Sequence, residues 1–265
     1  MTPVALTIAG SDPSGGAGLQ ADLKTFHQHG VYGTSVVTLL TVQNTSGVTA
    51  VECLDPEFVS AQLDAVLSDL PPVVAKTGAL GTAAIVERIA RRAADFGFPL
   101  IVDPVMVSKH GHALLDPEAA RVMRQRLLPH AWLITPNMPE AAALTEMEVN
   151  DLSSLEKAAA RLGLCGVPHV LVKGGRLADQ PIDVLWSEGE VHRFASPRVD
   201  TSSTHGSGCV YSAAITARVA HGEDLLTAIQ HAKAFVTSAL HSAPPLGHGC
   251  GPLNLHVPVA PYASG

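Results

Sequence analysis

Aromatic residues are scarce: Phe, Trp and Tyr together make up 4% of 265 residues. That is too little for the stacking platforms that hold single-stranded nucleic acid. Positive charge is also short. Lys and Arg number 17 against 24 Asp and Glu, a net charge of −7 with a pI near 6.0. The balance argues against a nucleic-acid partner, while leaving room for a local basic pocket around a phosphate. Only four cysteines occur, Cys53, Cys165, Cys209 and Cys250, with no C-x-x-C pair and no regular spacing. A disulfide framework and a cysteine-based zinc site are both excluded on those grounds. No H-E-x-x-H motif is present, and no apolar run approaches the roughly 18 residues of a membrane span. The opening M-T-P-V-A-L-T-I-A-G-S-D has no basic stretch ahead of its apolar residues and reads directly as a strand. A reducing cytoplasm and no membrane partner are expected.

What the chain has in quantity is apolar surface. Hydrophobic residues make up 46% and charged residues 15%, enough for a sizeable core and against disorder. No linker, repeat or charge run divides the sequence, so residues 1–265 are expected to form one domain with an ordered core over about 3–257. Strand and helix patterns alternate. Val4–Ala9 reads as a strand, followed by a glycine turn and a helix with Leu19, Leu23 and Phe26 on one face. Strands are expected at Thr34–Thr41, Val73–Lys76, Pro99–Val102, Ala131–Thr135 and His169–Val172. A hairpin is expected from Ile182–Ser187 and Glu190–Ala195 around Gly189. Helices are expected at Pro56–Leu70, with Phe58 on its apolar face, and at Ala83–Phe96, Ser153–Leu164, Ser207–His221 and Leu225–Ser242. Short buried strands alternating with helices make an α/β protein, a mostly parallel sheet covered on both faces. Ligands of such sheets bind at the carboxyl ends of the strands.

Three groups of residues stand at such ends. In A-G-S-D-P-S-G-G-A-G-L-Q-A-D-L-K-T, Ala9 to Thr25, glycines 10, 15, 16 and 18 allow a tight turn and close backbone approach to a ligand. Gly15, Gly18, Asp22 and Thr25 share a helix face opposite Leu19 and Leu23, placing a carboxylate near the turn. The spacing is neither a Walker loop nor G-x-G-x-x-G. In T-H-G-S-G-C, Thr204 to Cys209, Gly206 and Gly208 free the amides at a helix N-terminus, a site for a phosphoryl group. Cys209 falls in that first turn, where a lowered thiol pKa is expected. Asp103, Glu140 and Lys173 end or follow three apolar strands. Two carboxylates and a lysine so placed could hold Mg²⁺ and nucleotide phosphates. Asp55-Pro56 and Asp116-Pro117 read as plain helix caps.

Taken in order, A-G-S-D-P-S-G-G-A-G-L-Q-A-D-L-K-T, V-Q-N-T, A-K-T-G, D-P-V-M-V-S-K-H-G, T-P-N-M-P-E-A, V-L-V-K-G-G, T-H-G-S-G-C and G-H-G-C-G-P-L-N run from about Val4 to Asn254. This set resembles the hydroxymethylpyrimidine/phosphomethylpyrimidine kinases of thiamine biosynthesis, within the ribokinase-like superfamily. The resemblance implies a single ribokinase-like α/β domain. The implied reaction uses ATP and Mg²⁺ to phosphorylate 4-amino-5-hydroxymethyl-2-methylpyrimidine to its monophosphate and then to the diphosphate. It places Gly10, Asp22, Gln43, Ala79 and Val105 at the pyrimidine. Asp103 and Glu140 fall at the metal and phosphates, and Lys173 and Thr204 at the nucleotide. Gly206, Ser207, Gly208 and Cys209 form the anion hole, with Cys209 where many relatives carry an aspartate base. Lys109-His110-Gly111 would lie on a mobile flap over the site, and a homodimer is the implied assembly; from the sequence itself, Thr34–Thr41 and the following Val48–Leu54 could form an edge that pairs with a copy of itself.

Two positions depart from the family pattern. Ala79 stands where many members have Met, widening the expected pocket, and Ser207 stands where Thr is commoner, which keeps the hydroxyl. The alternative in the same branch is a pyridoxine or pyridoxal kinase. Gln43 favours the aminopyrimidine, since a primary amide pairs a donor and an acceptor with a ring nitrogen and an adjacent amine. A catalytically dead ligand-binding regulator would be expected to lack the anion hole, Asp103 or Lys173, and all are present.

Overall fold

The computed structural model describes residues 2–109, 111–178 and 180–262. The elements run β1 (Val4–Ser11), α1 (Gly18–Gln28), β2 (Tyr32–Asn44), β3 (Gly47–Cys53), α2 (Pro56–Asp69), β4 (Val74–Thr77), α3 (Ala83–Ala93) and β5 (Leu100–Val102). They continue with α4 (Pro117–Val122), β6 (Leu133–Ile134), α5 (Met138–Thr145), α6 (Leu152–Leu164), β7 (His169–Val172), β8 (Ile182–Ser187), β9 (Glu190–Ala195), α7 (Ser207–Ala220) and α8 (Leu225–His241). The nine strands form one sheet in the order β3-β2-β1-β4-β5-β6-β7-β8-β9. From β2 to β7 every pairing is parallel, while β3 at one edge and β8 and β9 at the other are antiparallel.

The sheet is apolar on both faces, and each face has its own core. Leu6, Ile8, Val102, Ile134 and Val172 pack toward α2–α6. Ala5, Val74, Ile101, Leu133 and Leu171 pack toward α1, α7 and α8. Alternate strand residues thus feed opposite cores, which explains the near-continuous apolar runs. The expected α/β architecture with helices on both faces is what forms.

Local chemistry sets the boundaries. Asp55 and Asp116 cap α2 and α4 as read, accepting from Phe58 N at 3.1 Å and Ala119 N at 2.5 Å. The hairpin β8–β9 has the expected limits, turning at Glu188 and Gly189, both in the left-handed region. β2 is longer than expected because antiparallel pairing with β3 extends it to Asn44. Phe58 is a correction: it is 60% exposed, and Val59 and Leu63 are the residues α2 buries. The helix α5 was unforeseen. Its start is written in a capping box, Asn137 Oδ1 accepting from Glu140 N at 3.0 Å and Glu140 Oε2 from Asn137 N at 2.8 Å.

Candidate active site

Two glycine turns meet at the carboxyl ends of the central strands. The first joins β1 to α1, and the second precedes α7. Gly206 has φ 76°, and a Cβ there would overlap the carbonyl oxygen of Gly16. The turns are therefore packed backbone to backbone, an approach open only to glycine. Asp12 organises the first turn. Its Oδ1 accepts from Ser14 N at 2.9 Å and its Oδ2 from Ala17 N at 2.8 Å. His205 Nε2, from the second turn, lies 2.8 Å from the same Oδ2. Burial works against the Asp12 charge, but the bonds from His205 and Ser14 outweigh it and hold the carboxyl below its ordinary range. His205 Nε2 also lies 3.2 Å from the Gln43 amide on β2.

Below the turns lies a cavity of about 930 Å³. All the site residues named from the sequence line it, from Gly10 on β1 to Cys209 on α7. The tertiary fold brings them together from seven separate stretches of chain. Ala79 sits on the wall next to Gly10, Val105 lines the cavity just after β5, and Thr204 and Ser207 line it at the α7 turn. Of the flap, Ser108 and Lys109 reach the cavity, and Val107 pairs with Ala113. His110 lies outside the described residues.

The cavity floor carries charge. Lys173 Nζ donates to Asp103 Oδ1 at 2.8 Å, and a Cβ on Gly208 would sit 3.3 Å from that nitrogen, so the ammonium faces the α7 turn. Ser212 Oγ donates to Asp103 Oδ2 at 3.1 Å. Burial pushes the Glu140 carboxyl up to about 7, with Asp103 adding to the rise against the pull of Lys173. Burial also opposes the charge of Lys173, but Asp103 and Glu140 overcome it and raise its pKa. Among the described residues no group of three or more His, Cys, Asp and Glu is placed to hold a metal. The carboxylate oxygens of Asp103 and Glu140 are hard donors of the kind that Mg²⁺ takes one or two of beside phosphate and water.

Asp22 lines the cavity as expected, whereas Cys209 differs from expectation. Asp22 stands on the α1 face that packs inward. It is fully buried, because α1 is covered by the sheet on one side and by α7 on the other, and its Oδ2 accepts from Thr7 Oγ1 at 2.6 Å and from Lys76 Nζ at 2.8 Å. Its Oδ1 is buried without a partner. The expected low pKa of Cys209 is overturned. Burial, reinforced by Asp22 and Asp103, pushes the thiol up to about 12, despite Lys76 and the Gly18 amide. Cys209 is thus a neutral thiol near pH 7. Proximity to a helix N-terminus lowers a thiol pKa only where desolvation does not dominate.

Two sets of site residues were missed. Lys76 has a signal: a lysine inside the four-residue apolar strand β4 is a buried charge that demands a carboxylate. The other set lines the far end of the cavity. There Asp183 on β8 accepts from Lys233 Nζ at 2.7 Å and from Gly174 N at 2.9 Å, with Val236 and Leu240 of α8 and Val199 of the loop between β9 and α7 also lining the cavity. Nothing in sequence spacing links β8 to α8, which lie some fifty positions apart.

The sequence model of the phosphomethylpyrimidine kinase family matches residues 12–254. A hydroxymethylpyrimidine/phosphomethylpyrimidine kinase from Synechococcus elongatus is 47% identical over 97% of this chain and 98% of its own. The thiamine biosynthesis bifunctional protein ThiED of Geobacter sulfurreducens is 47% identical over 94% of this chain, which spans 51% of that longer protein. Among solved structures, a pyridoxal kinase from Bacillus subtilis in complex with ADP superposes with a TM-score of 0.89. It is 38% identical, covering 96% of this chain and 97% of its own. The paired glycine turns, the Asp103–Lys173 floor and the near-complete match together assign the chain to a family of phosphotransferases: it belongs to the phosphomethylpyrimidine kinase family.

Proposed function

We propose that the chain transfers phosphate from ATP to the alcohol of 4-amino-5-hydroxymethyl-2-methylpyrimidine and then to the resulting monophosphate, yielding the diphosphate for thiamine biosynthesis. One observation carries this reading. The turn 204–209 touches Gln43 through His205 at one end and faces Lys173 through Gly208 at the other. A pyrimidine at Gln43 and a nucleotide phosphate at Lys173 would then meet at the α7 amides, where charge develops during transfer. The apolar end near Val199, Val236 and Leu240 would take the adenine. Mg²⁺ would be held by Asp103 and Glu140 with the phosphates, neutralising charge on the transferred group.

Phosphoryl transfer passes through a loose transition state, so positioning matters more than early removal of the alcohol proton. A neutral Cys209 thiol cannot accept that proton. Its backbone amide would serve the anion hole with those of Ser207 and Gly208, and Asp22, whose buried Oδ1 has no hydrogen-bond partner, would take the proton once the substrate reaches it. Cys209→Ala should then keep much of the turnover, and Asp22→Asn should lose it.

The likeness to a pyridoxal kinase supports a second reading, in which Ala79 admits a larger ring. An ATP-consumption assay against the pyrimidine alcohol, its monophosphate and pyridoxal separates the two. Turnover of pyridoxal alone would overturn the pyrimidine assignment. The same proposal includes a cytoplasmic homodimer. It rests on the edge strand β3 and on Leu40 and Val42 of β2, exposed at 46% and 62%, and is tested by sedimentation equilibrium.

A further inference from the structure

Gln43 lies between two groups whose other partners can only accept. Thr41 Oγ1 is 2.9 Å from the Ser11 carbonyl oxygen and 3.1 Å from Gln43 Oε1. His205 Nε2 is 2.8 Å from Asp12 Oδ2 and 3.2 Å from Gln43 Nε2. A hydroxyl has one proton, and the Ser11 carbonyl commits it, so Thr41 Oγ1 faces Gln43 as an acceptor. The Asp12 carboxylate likewise commits a hydrogen on His205 Nε2, in the neutral ring and the cation alike. A bare Nε2 would set its lone pair against a carboxylate at hydrogen-bond distance. Nε2 therefore shows Gln43 a protonated nitrogen with no lone pair, its hydrogen directed at Asp12, beside which an amide oxygen is tolerated and an amide NH2 is repelled. Both neighbours ask the same of the amide: nitrogen toward Thr41 and oxygen toward His205. That is a half-turn about its terminal torsion, which exchanges two atoms of nearly equal size.

We propose that His205 is a specificity-positioning residue which, with Thr41, locks the Gln43 amide in one polarity. A free glutamine reads either polarity, because the half-turn swaps donor and acceptor. Locked, it offers an acceptor on the His205 side of the cavity and a donor on the Thr41 side. The ligand that fits is a heteroaromatic ring with an exocyclic amine beside a bare ring nitrogen, its amine directed toward His205. A ring with a carbonyl beside a protonated nitrogen would meet donor with donor and acceptor with acceptor. The lock itself is rigid. His205 is 2% exposed, its backbone N donates to Gly251 O at 3.0 Å, and its ring fills the space beside Gly16. This inference rests on the pyrimidine reading above and adds to it how the ring is told from its oxo counterpart.

The test compares 4-amino-5-hydroxymethyl-2-methylpyrimidine with its 4-oxo analogue, measuring kcat/KM for each with wild type, His205→Gln, His205→Ala and Thr41→Val. Wild type should favour the amino compound by about tenfold or more, the cost of mispaired buried hydrogen bonds. His205→Gln, whose NH2 carries one hydrogen for Asp12 and a second for Gln43, should keep most of that ratio. His205→Ala and Thr41→Val should each lower it severalfold, whatever they do to absolute rate, since a merely structural loss slows both substrates alike. Thr41→Val preserves side-chain shape and serves if His205→Ala fails to fold. An unchanged ratio in Thr41→Val and in folded His205→Ala overturns the lock while leaving the pyrimidine reading intact. Wild type inactive on the amino compound overturns that reading, and the lock with it.

Discussion

Lys76 Nζ lies 2.8 Å from Asp22 Oδ2, and neither side chain exposes any surface. β4 thus drives a cation into the core, and α1 supplies the anion from a position fifty-four residues earlier. Burial opposes the lysine charge, yet Asp22, with Asp103 adding to it, raises its pKa. Thr7 donates the second hydrogen bond to the same oxygen.

Removing one partner should be far worse than removing both. Asp22→Asn leaves a buried ammonium uncompensated and should cost about 3–5 kcal/mol in urea unfolding. Asp22→Asn combined with Lys76→Met removes the stranded charge and should recover most of that loss. A single variant within about 1 kcal/mol of wild type, the value of an exposed pair, would show the two side chains to be uncoupled.

Alkylation should follow exposure and thiolate content. Cys165 is exposed, whereas Cys209 is half-buried in the cavity lining and its thiol is pushed up to about 12 by desolvation. Iodoacetamide at neutral pH, read by peptide mass spectrometry, should modify Cys165 first and Cys209 last. Early modification of Cys209 would restore the thiolate that its place on α7 suggests.

Glu140 should make the free protein less stable as pH rises. Its carboxyl goes from an ordinary 4.5 to about 7, so between those values the folded state binds more protons than the unfolded state. The stabilisation is complete below the unfolded value and is lost as pH climbs through the folded one. Glu140→Gln keeps an acceptor for Asn137 N and removes the titration. Thermal melts of wild type across that window should fall relative to the variant. Parallel curves would assign the proton elsewhere.

Gly206→Ala should lower both stability and turnover. The left-handed backbone costs roughly 1–2 kcal/mol for any residue with a Cβ, and that Cβ would overlap the Gly16 carbonyl. Gly97→Ala is the control, because a Cβ there meets nothing within 4 Å. Equal melting temperatures for the two variants would mean that the glycine turns yield freely.

Ala79→Met should narrow the wall beside Gly10, whose own Cβ position is 3.6 Å from the Ala79 methyl. Turnover of the monophosphate should fall relative to the alcohol. An unchanged ratio would place residue 79 away from the bound ring.

By itself the sequence determined what is local. Alternating apolar runs fixed the parallel sheet and its helices, since each strand feeds two cores. Aspartate before proline fixed the starts of α2 and α4. The ordered motif set identified the residues around the cavity, because each sits at a strand end or a glycine turn that its own neighbours specify. Tertiary structure decided what depends on distant partners. The burial of Asp22 needed Lys76, and the far end of the cavity needed α8 laid beside β8. The protonation of Cys209 needed the depth to which α7 sinks, since a helix N-terminus and desolvation act on a thiol in opposite senses. The polarity of Gln43 likewise needed Thr41 and His205 brought to it from either side, because an amide alone has no preferred direction.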